Sequence, residues 1–154
     1  MKRQFRSLIT VVGLAIALGS SITTVPATQT GEARLRGSGS GQITGMAPGP
    51  TGVSITATGI GTATQLGKFT RTESLLLNPN TGTFTGTITF IAADESELYC
   101  SVAGGFTGPN TAAGSYTITG GTGRFADASG EAHFAVVQDE ATFTFDFIGA
   151  IVTP

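Results

Sequence analysis

The chain has 154 residues, of which 23 are Gly, with 12% charged residues, a single Cys and no Trp. Its formal net charge of −2 comes without the clustered Lys and Arg that replace phosphate counterions, which excludes nucleic acid as a partner. One Cys excludes an internal disulfide, so stability must come from a packed core and a hydrogen-bond ladder.

The N-terminus reads as a targeting segment. Met1–Arg6 is basic, Leu8–Leu18 is apolar and uncharged, and Val25-Pro26-Ala27 offers small residues to signal peptidase. This predicts a Sec-type signal peptide over 1–27, cleaved after Ala27, and a secreted or periplasmic domain over 28–154. The apolar run is shorter than the ~20 residues of a membrane span, so no membrane association is expected after cleavage. No Cys follows it closely, which excludes a lipid anchor on that residue. Cleavage would leave five basic against ten acidic residues. About 127 residues would remain, enough for one domain with one core.

Beyond Ala27 no stretch carries apolar residues at helical spacing; the pattern alternates, as strands do. Glu32–Met46 reads as a glycine-interrupted strand or pair of strands. Val53, Ile55 and Ala57 face one way, opposite Ser54, Thr56 and Thr58. Thr62–Thr72 reads as one strand, in which Leu66 and Phe69 fall on different faces, so a bulge is expected near Gly67. Glu73–Leu77 leads into Asn78-Pro79-Asn80-Thr81-Gly82, a tight turn by its Pro, Asn and Gly. Phe84, Ile88 and Phe90 share a face of the next strand, and Asp94-Glu95-Ser96 turns the chain again. Leu98, Cys100 and Val102 share a face of Glu97–Ala103, which predicts a buried Cys100. Gly104–Gly114 reads as a long loop.

Strands Ser115–Thr119 and Glu131–Val137 flank the glycine-rich segment Gly120–Gly130. A turn at Gln138-Asp139-Glu140 then leads to Thr142–Val152, with Phe143, Phe145 and Phe147 on one face. The total is about eight short strands joined mainly by short turns, which predicts a sandwich or barrel. Hairpin-length connections favour a single antiparallel up-and-down barrel, whose closure removes exposed edges. Thr-Gly units recur at irregular spacing, so no solenoid is expected.

Two segments are familiar. Gly120-Gly121-Thr122-Gly123-Arg124-Phe125, followed by Ala128-Ser129-Gly130, resembles a segment near the C-terminus of dirigent proteins and allene oxide cyclases. Gly61-Thr62-Ala63-Thr64-Gln65-Leu66-Gly67-Lys68-Phe69-Thr70 is similar to a segment of small secreted bacterial proteins of uncharacterised function, with Gln65 where that pattern usually has His. The resemblance implies an eight-stranded antiparallel barrel of the allene-oxide-cyclase and dirigent type. Plant members bind apolar substrates in the barrel and steer a cyclisation or coupling. Their functional carboxylates match no position here, so none is carried over.

Few residues invite a chemical role. Gly121–Ala126 formally fits a dinucleotide loop, but that loop works at the start of a helix, and a strand follows here. The glycines instead suit unusual backbone angles, with Phe125 as a plug for the barrel end. His133 is the only histidine and cannot make a zinc site alone. It alternates with Ala135 and Val137, on a surface face or as a base in the lumen. Asp146 lies between Phe145 and Phe147; if the Phe face fills the core, Asp146 points to solvent. Asp94, Glu95 and Glu97 lack calcium-loop spacing and read as a solvated turn. Arg34, Arg36 and Arg124 are surface arginines or an anion site at one mouth. No nucleophile elbow occurs, since Ser38 and Ser40 stand at the wrong positions for one.

Arg124, His133 and Asp146 are therefore the lumen or mouth candidates, and no catalytic, metal or cofactor-binding residue is assigned. The leading reading is a non-enzymatic barrel that binds a small apolar ligand or acts as an interaction module. The alternatives are a dirigent-like or allene-oxide-cyclase-like cyclase or isomerase, and a structural surface or matrix protein. A homo-oligomer stays open.

Overall fold

The computed structural model describes residues 31–154. The expected signal peptide, 1–27, lies outside them. Eight strands form a closed antiparallel barrel: β1 (Gly31–Gly49), β2 (Gly52–Ala63), β3 (Gly67–Asn78), β4 (Thr83–Ala92), β5 (Glu97–Phe106), β6 (Thr111–Gly121), β7 (Ser129–Asp139) and β8 (Thr142–Thr153). Each strand pairs with its sequence neighbour, and β8 pairs back onto β1 from Gly31↔Thr153 to Gln42↔Thr142. The only helix among the described residues is a 3-10 turn at Gly123–Phe125. This is the up-and-down barrel the alternation predicts.

The lumen is built from phenylalanine set opposite glycine. Gly37, Gly39 and Gly41 of β1 pair with Phe147, Phe145 and Phe143 of β8. Gly61 pairs with Phe69, Gly104 with Phe84, and Gly114 with Phe134. A Cβ added at Gly39 would sit 2.6 Å from the Phe145 ring and 2.1 Å from the Ile60 carbonyl oxygen. Each ring thus lies over a neighbouring strand where no side chain rises, and large and small residues alternate around the small barrel. Phe69, Phe90, Tyr116, Phe145 and Phe147 meet ring to ring at centroid distances of 5.2 to 6.4 Å along the axis. Cys100 is buried among them, as predicted.

Two boundaries differ from the expectation. Thr62–Thr72 is not one bulged strand: β2 ends at Ala63 and β3 begins at Gly67, with Gln65 and Gly67 at φ 68° and 66° in the turn between. The conflicting phases of Leu66 and Phe69 mark a hairpin. The register shift in this region falls in β1 instead, between Ile43 and Gly45. Gly104–Gly114 is likewise not a long loop. β5 runs to Phe106 and β6 starts at Thr111, and Gly104 and Gly114 pair with each other inside those strands, Gly104 against the Phe84 and Phe134 rings and Gly114 against that of Phe134.

The meander makes the two barrel ends different. The β1–β2, β3–β4, β5–β6 and β7–β8 hairpins share one end. The opposite end carries the β2–β3, β4–β5 and β6–β7 connections and is closed. Phe125 of the 3-10 turn, Leu66 and Ala128 are buried there. Gly121 and Gly123 permit this closure: a Cβ on Gly121 would meet the Glu97 carbonyl oxygen at 2.2 Å, and Gly123 takes φ 57° beside Ser96. The motif is a barrel corner, as its residues predict.

Candidate functional site

β3 turns a row of residues into the lumen: Phe69, Arg71, Glu73, Leu75 and Leu77, every second position. Arg71 is 3% exposed and sits opposite Gly59, which leaves room for its stem. Its guanidinium lies 3.9 Å from the Phe145 ring centroid and 5.4 Å from that of Phe143. Arg71 Nη1 donates to the Tyr116 hydroxyl oxygen at 3.1 Å, and Nη2 donates to Glu73 Oε2 at 2.5 Å. Nε is buried with no partner among the described residues. A buried cation of this kind is tolerable only because it is paired and faces aromatic rings.

Burial raises the Glu73 carboxyl above its usual value, against the pull of Arg71. Burial likewise pushes Tyr116 up to about 12, and Arg71 opposes that shift only partly. Tyr116 stacks on Phe134 at 4.6 Å, with the rings 15° apart. Cys100 is also pushed up to about 12 by burial, which makes it an inert thiol.

Above this pair the lumen opens. A cavity of about 80 Å3 is lined by Glu73 and Gln138 and by the apolar side chains of Ile43, Leu75, Phe84 and Phe143 with their neighbours. Exposure rises along its wall, from Phe143 at 7% to Phe106 at 44% on the hairpin rim. The arrangement is an apolar funnel with one carboxylate at its foot. That carboxylate can accept a hydrogen bond through Oε1, which takes no donor among the described residues. No group of three or more metal-ligating side chains occurs among the described residues.

The sequence candidates lie elsewhere. His133 and Asp146 are exposed on the outer face of β7 and β8, with Phe134, Phe145 and Phe147 turned inward instead. Neither reaches the lumen. Arg124 stands at the closed end. Its Nε donates to Asp94 Oδ2 and its Nη1 to the Gln65 carbonyl oxygen, both at 2.6 Å. These bonds tie three end loops together, and the hydrogen bond from Arg124 holds the Asp94 carboxyl below its usual value. Arg34 and Arg36 are exposed on β1.

No protein-family model and no curated protein matches the sequence. Solved structures do match. The pterocarpan synthase dirigent protein PsPTS1 superposes with a TM-score of 0.60 at 13% identity, over 80% of this chain and 96% of that one. A second pterocarpan synthase dirigent protein, GePTS1, gives 0.54 at 15% identity, over 78% and 88%. The fold is a dirigent-type barrel. In this dirigent-type barrel, the polar pair on β3 and the funnel above it form the candidate site.

Arg71 and Glu73 were missed from sequence for a local reason. Once β3 is started at Gly67, Arg71 and Glu73 share their phase with Phe69, Leu75 and Leu77, and that shared phase is the signal.

Proposed function

We propose that this secreted barrel binds a small apolar molecule at its hairpin end and does no chemistry on it. The observation that carries this reading is the apolar funnel ending on Glu73. Most of the lumen below is filled by aromatic rings, so the binding site is confined to the upper end. Apolar walls with a few placed polar groups are the usual make-up of a small-molecule site. The dirigent-type fold supports the small-molecule part of this reading alone, since two proteins that share it are named pterocarpan synthases.

Native mass spectrometry of the secreted chain tests the proposal. The expected result is a mature chain that retains a small non-covalent adduct or takes up an added apolar dye. A chain that carries no adduct and takes up no dye at saturating concentration contradicts it.

The raised carboxyl of Glu73 favours a second reading, an isomerase or cyclase on an apolar substrate with Glu73 as the proton-transferring group. That reading predicts turnover abolished in Glu73→Gln while binding of the same compound persists.

A further inference from the structure

The groups that a ligand meets in the funnel are unequal in chemistry. Glu73 and Gln138 are the polar residues of the cavity wall, and Arg71 is not part of that wall. Two of its guanidinium nitrogens are engaged instead, Nη1 with Tyr116 and Nη2 with Glu73, one face lies on Phe145, and the unpartnered Nε is buried outside the cavity wall. The amide nitrogen of Gln138 gives one of its two hydrogens to the Glu140 carbonyl oxygen at 2.8 Å, which leaves its oxygen and one neutral N–H for a ligand. A molecule entering from the rim therefore meets a carboxylate that can only accept, itself half of a closed ion pair, and a neutral amide, with no cation in the wall.

We infer that the funnel selects neutral ligands carrying a hydrogen-bond donor, such as an alcohol, and rejects carboxylates, with Glu73 as the specificity-determining residue. A ligand hydroxyl donates to the open oxygen of Glu73 and keeps its chain against Ile43, Leu75 and Phe84. A ligand carboxylate would be buried against Glu73, with the neutralising cation out of reach behind it. A ligand ammonium meets a carboxylate already neutralised by Arg71 and would be a second cation without an anion of its own. A ligand with neither donor nor charge would cover the open carboxylate oxygen without giving it a donor.

This inference rests on the binding reading above. Displacement of an apolar fluorescent dye near neutral pH tests it with four probes of matched chain: octanol, its methyl ether, octanoate and octylammonium. Octanol is expected to bind at least about tenfold tighter than each of the other three. Equal or tighter binding of octanoate, of octylammonium or of the ether overturns the inference and leaves the binding reading standing. If neither the dye nor any probe binds, the binding reading falls as well. A double variant, Arg71→Met with Glu73→Leu, removes the pair together and leaves no unpaired charge. It is expected to bind the ether as well as octanol, and a retained preference for octanol would rule out Glu73 as the determinant. The panel on the unaltered protein decides even if that variant does not fold.

Discussion

Arg71 and Glu73 bring opposite charges into a lumen lined mainly by aromatic and aliphatic side chains. Their side chains are 3% and 7% exposed, so removing one partner leaves the other stranded. Glu73→Gln should cost about 3–5 kcal/mol in urea unfolding, while Arg71→Met with Glu73→Leu should recover most of that loss. Glu73 is raised above its ordinary 4.5, so the folded state holds its proton more tightly than the unfolded one. Its contribution is therefore fully present below pH 4.5 and is lost as pH rises through the raised value. The carboxyl resonance of Glu73 in an NMR titration should accordingly move above that pH. Tyr116 has the same sign at higher pH: its contribution holds below 10 and is lost as pH rises through about 12. An absorbance titration should show Tyr116 ionising only there, together with unfolding. The three candidates read from sequence were chosen by chemical type. Position along a strand placed His133 and Asp146 outside, because the neighbouring Phe residues have stronger claims on the lumen.

At the scale of the strand, the glycines that look like interruptions are packing partners. Gly39→Ala places a Cβ against a ring and a backbone carbonyl that cannot move aside, and should destabilise by about 1–3 kcal/mol. Gly31→Ala has nothing within 4 Å and should leave the urea midpoint nearly unchanged. Equal effects at the two positions would contradict the Phe-over-Gly account. The same logic explains which strand limits were legible. Runs such as Phe143-Thr144-Phe145-Asp146-Phe147 alternate plainly and place their own faces. Gly104 and Gly114 carry no side chain to show a phase, so they read as loop although they pair with each other. At the closed end, Phe125→Ala should cost about 3–5 kcal/mol through the cavity it leaves. Arg124 makes an exposed pair with Asp94, whose removal should cost far less than that of Phe125. A thermal-unfolding comparison of the two variants checks that ranking.

Over the whole molecule, the meander separates two jobs. One end is sealed by the glycine-rich corner, with Phe125, Leu66 and Ala128 beneath it. The other widens from Phe143 toward Phe106. The barrel class and the corner were legible because alternation and turn chemistry are local properties. The open funnel was not, since it arises where four hairpins and the middle of β3 converge around the axis. The central claim is that a small apolar molecule enters at the hairpin end and stops at Glu73. The most direct test is to titrate octanol into the isotopically labelled protein and map the shifted NMR resonances. The account predicts shifts at Ile43, Ile55, Leu75, Phe106 and Val136, with Leu66, Phe125 and the outer-face His133 unmoved. Shifts centred on the Phe125 end or on the outer strand faces, or none at saturation, would contradict it.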